Sequence, residues 1–391
     1  MGWSAFRKTG LTFHNPNSTV KGYTLFVQSA DNHIYLLNMD GKIVEQWQFP
    51  GFNPSSAILL DNGNLLISGT ETEFAQQAKQ IEPDDFSNLD YHLTRLGGGY
   101  TTLREYDFDG NLIWSYDNRA IHHDFHVCEN GDILLPEWVV LEPEFAKQVR
   151  GGYRKPGRQG QQPPMLGDDI IRINRAGEEV GRWHLWQMLD PRKDPIGPLQ
   201  SRTEWTHVNS IDMMADGQLL VSCRQTSSVV LIDPEQHKVT WKIGSPEISV
   251  QHNARSLPNG NIQIFDNGAY RPAASPYSQI IEVDPRTDEI VWRYQPSTHE
   301  QFFSGHLSSA QRLDLGNVLI CEGTPGRLFE VTRKGEVVWE WITPIVTGSP
   351  DGRIRTWIYR AFRYSVSHPA FADREMNPER YRQMNVAYGL L

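Results

Sequence analysis

The paired segments SIDMMADGQLLVS (residues 210–222) and VLIDPEQHKVTWKI (230–243) decide the fold. The first is an apolar run, an Asp-Gly turn and a second apolar run, the pattern of a tight β-hairpin. The second is a strand, an Asp-Pro turn and a strand carrying Trp241. Working outward, the first pattern recurs as AILLDNGNLLIS (57–68), DFHVCENGDILLP (124–136), ARSLPNGNIQIFD (254–266) and SAQRLDLGNVLIC (309–321). The second recurs around Trp47, Trp114, Trp183, Trp292 and Trp339, at intervals of 47 to 69 residues. Four strands per unit repeated six times is the signature of an all-β, six-bladed β-propeller. A once-per-blade aromatic on a strand reads as packing between blades rather than as a ligand cage. The blades span roughly 23–343 of one domain covering 1–391. A strand's worth of chain precedes Tyr23, and the segment 356–369 follows the last repeat, so the N-terminal and C-terminal strands are expected to close one blade together, with 344–391 supplying the closing strand and a helical tail packed on the ring.

Composition removes several classes of function. The 391 residues include 42 aromatics and carry a formal net charge of −10, which disfavours nucleic acid and anionic lipid as partners. No apolar run approaches a membrane span, and the start shows no export signal. Phe6 stands where a myristoylation motif needs Ser or Thr. Cys128, Cys223 and Cys321 are an odd, scattered set without metal-ligand spacing, which fits a reducing compartment, and the cytoplasm is the expected location. Oligomeric state is not legible. Three segments interrupt the repeat: 72–96 reads as partly helical, 141–168 is Pro- and Gly-rich with basic Arg150, Arg154, Lys155 and Arg158, and 187–206 reads as a loop. The basic stretch is either a solvated connection or an anion funnel. The tail carries Arg353, Arg355, Arg360, Arg363 and Arg374.

Aligning the hairpins on Gly131, Gly217, Gly260 and Gly316 puts His123, Asn209, His252 and Ser308 in one column, with His207 and His306 two places earlier. Strand alternation would give His207 and Asn209 a common face, and the repeat would aim His123, His207, His252 and His306 at one place. Arg224 sits in an otherwise apolar strand, where a guanidinium either meets an anion or pairs across blades.

The motifs HHD (122–124), HVNSID (207–212) with VSCRQ (221–225), QHNA (251–254) with FDNG (265–268), and AQRLDLGNVLI (310–320) resemble the bacterial arylsulfotransferases, aryl-sulfate sulfotransferases independent of the nucleotide donor PAPS. The resemblance covers about residues 23–343 and implies a six-bladed propeller. It implies that His252 is the nucleophile that takes sulfuryl from an aryl sulfate, with a phenol as acceptor and ping-pong kinetics. It further implies that His207 and Arg224 hold the sulfuryl oxygens beside Asn209, and that His123 acts as general acid and base. No cofactor or metal is required by that chemistry. His306 is a candidate substrate-binding residue from the column alone. Well-known family members are periplasmic and carry an N-terminal β-sandwich and a disulfide. This chain begins almost at its first blade without an evident Cys pair, which leaves the substrate pair open. Two other readings compete: a metal-assisted lyase or hydrolase, with His122, Asp124 and His126 as a ligand set, and a non-catalytic binding propeller. The absence of a phosphate-loop motif disfavours a nucleotide donor.

Overall fold

The computed structural model describes residues 8–29, 31–81, 88–154, 163–271, 275–348 and 354–391. The protein is a six-bladed β-propeller. It forms two compact units of three blades each. Phe6, Lys155, Arg158 and Arg353 lie outside the described residues.

The first unit holds the chain ends. One of its blades takes Ile358–Tyr364 as its first strand, followed by Tyr23–Gln28, His33–Leu37 and Ile43–Gln48. The C-terminal strand is antiparallel to Tyr23–Gln28, in the register Tyr23↔Tyr364 and Phe26↔Ala361. A second blade runs through Phe52–Leu59, Leu65–Glu71, Thr102–Tyr106 and Leu112–Asp117. The third comprises Ser309–Arg312, Val318–Glu322, Arg327–Val331 and Val337–Ile342, to which Gly10–His14 adds a fifth strand. Closing strands from both ends leave fewer free sheet edges. Arg363 on the C-terminal strand pairs with Glu330, both side chains almost fully buried, and lies over the Trp339 ring. The tail differs from the helical expectation: its arginines at 360 and 363 are on a strand, and helix is confined to the short turn Arg382–Ala387 and 3-10 segments.

The second unit contains the blades His126–Val127, Ile133–Val140, Leu166–Ile173, Glu179–His184; then Val208–Met213, Leu219–Cys223, Ser228–Asp233, Lys238–Ile243; and then His252–Ser256, Ile262–Asp266, Gln279–Asp284, Glu289–Tyr294. Its hairpins turn on left-handed glycines, Gly217 at φ +87° and Gly260 at φ +82°, a conformation costly for other residues. The interruption at 72–96 is helical over Thr72–Gln80 and Leu89–Arg95. The loop expected at 187–206 contains a strand, Ile196–Ser201, paired in parallel with Gly151–Tyr153. Cys128, Cys223 and Cys321 are buried and form no disulfide. Among the described residues, no helix is long and apolar enough to cross a membrane.

The repeated tryptophan joins blades. The indole N–H of Trp47 donates to the Phe108 carbonyl at 2.7 Å, and that of Trp339 to the Met39 carbonyl at 2.9 Å, both within the first unit. In the second unit Trp183 donates to Pro234 at 2.8 Å and Trp241 to the Asp288 carboxylate at 2.7 Å. Each acceptor lies in the turn between the third and fourth strands of the following blade. Trp47, Trp183 and Trp339 are buried, whereas Trp114, Trp241 and Trp292 are half-buried. Trp47→Phe keeps a ring but orphans the Phe108 carbonyl and is expected to cost about 1–2 kcal/mol. Trp47→Ala also opens a cavity and is expected to cost about 3–5 kcal/mol. Urea denaturation of the two variants checks the ordering.

Candidate active site

His123, His207, Asn209, Arg224 and His252 all belong to the second unit. The expectation of simple strand alternation fails there for a physical reason. His123 precedes the strand that starts at His126, and its backbone is left-handed, at φ +58°. His207 is left-handed at φ +52°, just before a strand that bulges between Val208 and Ser210. Asn253, next to His252, is left-handed at φ +50° within another bulge. Alternation therefore does not run from His207 through Asn209. These kinks re-aim side chains that a regular strand would place differently. Non-glycine residues in this region store strain of about 1–3 kcal/mol each, and such strain collects at functional sites.

His123 and His207 meet, with ring centroids 4.4 Å apart. The His207 Nδ1 lies 2.8 Å from Glu204 Oε2, which also accepts the Trp138 indole N–H at 3.0 Å. The His123 amide donates to the Gly98 carbonyl at 2.7 Å, and its ring lies over Gly98, where an added Cβ would fall 2.2 Å from Nε2. On its other side His123 Nδ1 is 2.8 Å from His122 Nδ1. His122 is fully buried, stacks on Trp138 at 4.1 Å, and places Nε2 2.9 Å from Asp168 Oδ1, an ion-pair distance with poor hydrogen-bond alignment. Asp168 also accepts from the Thr206 hydroxyl and, at 3.2 Å, from the Val208 amide. Burial pushes this carboxyl up, but the bonds and charge from His122 and the Thr206 hydroxyl outweigh it and hold it below the usual carboxylate value.

Arg224 joins this group through the backbone, its amide donating to the His207 carbonyl at 3.1 Å. Its guanidinium donates to Gln200 Oε1 at 3.0 Å and bonds to the Tyr270 side chain, and no carboxylate pairs with it among the described residues. The cross-blade salt bridge is thus not made there. Although the residue is half-buried by surface, burial lowers the guanidinium below its ordinary value, opposed by Tyr270 and Glu204. It stays charged, given so high a starting value. Asn209 is fully buried and donates to the Gln251 carbonyl at 2.8 Å. Gln251 donates to Ser222 Oγ and to the carbonyls of Cys223 and Ser228. That brace fixes the residue preceding His252, whose Nδ1 lies 2.7 Å from Asn267 Oδ1.

His306 belongs to the first unit, where its ring meets Trp357 edge-on at 4.6 Å. The proposed ligand set of His122, Asp124 and His126 is divided among separate partners: His126 pairs with Asp212 at 2.7 Å and Asp124 with Arg255 at 2.9 Å. Among the described residues no three His, Cys, Asp or Glu side chains are grouped to hold a metal. The residues that position the site, His122, Trp138, Asp168, Glu204 and Asn267, are not singled out by the column argument. One available signal was the Asp168-Asp169 pair inside the apolar strand Leu166–Ile173, since a buried carboxylate demands a partner.

Two touching imidazoles, with Arg224 tied by its amide to His207 and pairing with no carboxylate among the described residues, offer donors to an anionic group. The arylsulfotransferase (ASST) family model matches residues 87–344, which include every candidate residue. The chain belongs to that family, and the family supports a sulfotransferase-type enzyme. No curated protein matches the sequence. Among solved structures it is similar to a protein of unknown function from Bacteroides caccae, at 14% identity and a TM-score of 0.52, covering 88% of this chain and 98% of that one. A streptogramin B lyase (12% identity, TM-score 0.46, 91% and 93% covered) is a more distant resemblance. So is a catalytically inactive virginiamycin B lyase from Staphylococcus aureus with quinupristin (13%, 0.44, 86% and 89%).

Gly98 at φ +86° tests the placement of His123. Gly98→Ala is expected to cost about 1 kcal/mol from the left-handed backbone alone. It should also displace the imidazole, seen as a shift of the His123 ring resonances beside a modest fall in the melting temperature.

Proposed function

We propose that the protein transfers a sulfuryl group from an aryl sulfate to a phenolic acceptor, without a nucleotide donor, through a sulfohistidine at His252. The observation that carries this reading is the 2.7 Å contact between His252 Nδ1 and Asn267 Oδ1. An amide oxygen only accepts, so Nδ1 carries the proton and the neutral ring keeps its lone pair on Nε2. A neutral imidazole with one fixed tautomer is a competent nucleophile near neutral pH. Attack of Nε2 on sulfur forms the N–S bond as the S–O bond to the phenol breaks. The acceptor phenol reverses these steps, giving ping-pong kinetics.

Arg224 and His207 bind the sulfuryl oxygens, whose charge rises during transfer. The guanidinium suits this role because its hydrogen-bond acceptor Gln200 is neutral and no carboxylate among the described residues pairs with it. Glu204 fixes the orientation of His207, and Asn209 anchors the backbone before His252. His123 exchanges the proton with the leaving and entering phenols.

The test is steady-state turnover of p-nitrophenyl sulfate with phenol as acceptor. His252→Ala is expected to lower kcat/KM by about 10³-fold or more, as loss of a nucleophile does. Arg224→Met is expected to lower it by about 10²–10³-fold, as loss of an oxyanion donor does. Double-reciprocal plots at several acceptor concentrations should be parallel. A His252→Ala variant with wild-type turnover contradicts the assignment.

A further inference from the structure

We propose that Asp168 and His122 form a buried proton relay that switches His123 between acid and base, and this inference rests on the sulfuryl-transfer reading above. The geometry is a chain: Asp168 Oδ1 at an ion-pair distance of 2.9 Å from His122 Nε2, then His122 Nδ1 facing His123 Nδ1 at 2.8 Å. Two imidazole nitrogens at that distance share one hydrogen, since two lone pairs would repel and two N–H groups would collide. The protonation of one ring therefore dictates the tautomer of the other.

The surroundings hold the relay in place. His122 and Asp168 are sealed from solvent, and His122 is clamped on the Trp138 ring. Asp168 stands behind His122, and His207 lies beside His123 and is bonded directly to Glu204, which also accepts the Trp138 indole N–H. Thr206 and the Val208 amide occupy further acceptor capacity of Asp168, so the carboxylate is fixed rather than mobile.

The proton count closes. Before donor cleavage His122 carries protons on both nitrogens against the Asp168 carboxylate, and His123 accepts at Nδ1 while bearing its proton on Nε2. As the phenolate leaves, His123 Nε2 gives up its proton, forming the phenol O–H. The proton on His122 Nδ1 moves to His123 Nδ1, so both rings end neutral, and His123 presents a lone pair on Nε2. In the second half-reaction the acceptor phenol loses its proton to that lone pair, and the Nδ1 proton returns to His122. One proton leaves and one enters per cycle, with no redox change. His122 and Asp168 touch no substrate and act as positioning residues through His123.

The experiment compares wild type, His122→Gln and Asp168→Asn with two donors in the presence of phenol, p-nitrophenyl sulfate and phenyl sulfate. The first leaves as a stabilised phenolate and needs little protonation; the second needs a proton. In kcat/KM for the donor, which reads the first half-reaction alone, both variants are expected to lose about 10²-fold on phenyl sulfate, the scale of general acid catalysis, and less than about threefold on p-nitrophenyl sulfate. Equal losses on both donors would overturn the relay while leaving sulfuryl transfer standing. ¹⁵N spectra of the wild-type imidazoles, which need neither turnover nor a stable variant, should show one hydrogen shared between the Nδ1 atoms of His122 and His123. No coupling between those two nitrogens would overturn the relay. A wild type silent toward every donor but with coupled rings would instead overturn the sulfuryl-transfer reading.

Discussion

The structure depends on how one blade is tied to the next. A four-stranded sheet is finished along its length only if its faces are covered and its edges are protected. In this chain an indole on the fourth strand of a blade reaches the hairpin turn between the third and fourth strands of the following blade, seen for Trp47, Trp183, Trp241 and Trp339. The ring supplies apolar contact and the N–H satisfies a turn acceptor, so one side chain sets both the spacing and the rotation of neighbouring sheets. The acceptors are two turn carbonyls, a proline carbonyl and an aspartate, which shows that the geometry, not the identity of the partner, is what the repeat preserves.

This is why the fold was largely legible in the sequence. The hairpin glycine and the tryptophan recur because the same kinds of contact are made in blade after blade, as seen for Trp47, Trp183, Trp241 and Trp339, and periodic requirements leave a periodic trace. The closing strands were legible as leftover apolar segments before Tyr23 and around Ile358, but they join two blades rather than closing one together: Gly10–His14 pairs with Val337–Ile342, and Ile358–Tyr364 with Tyr23–Gln28. What escaped was local. The strand Ile196–Ser201 pairs in parallel with a three-residue partner and has no hairpin signal. The arginines of the tail suggested a helix packed on the ring, but Arg363 is a buried strand residue held by Glu330, a partner more than thirty residues away in sequence.

The candidate site shows the same division. Histidines in a common register pointed to a functional cluster, and His123 and His207 do touch. Their orientation was not readable, because it comes from left-handed residues and bulges that break the alternation on which a strand argument relies. Of the residues that set protonation, His122 and Asn267 stand inside the HHD and FDNG motifs, but their pairings do not show in the sequence. Glu204, Asn267, His122 and Asp168 matter through pairings made by the fold, and a sequence reveals a buried carboxylate only as an anomaly in an apolar run. The outcome is a division of labour: Asn267 holds the Nδ1–H of one ring, Glu204 orients a second, and Arg224 contributes a charge that no carboxylate among the described residues pairs with.

The central claim is that His252 carries the sulfuryl group between donor and acceptor. Its most direct measurement is peptide mapping by mass spectrometry after the protein is mixed with an aryl sulfate alone, without acceptor, and quenched under alkaline conditions. The account expects a single sulfuryl adduct on the peptide containing His252, discharged when a phenol is added before the quench. An adduct on another residue, or an active protein that never acquires one, would contradict it.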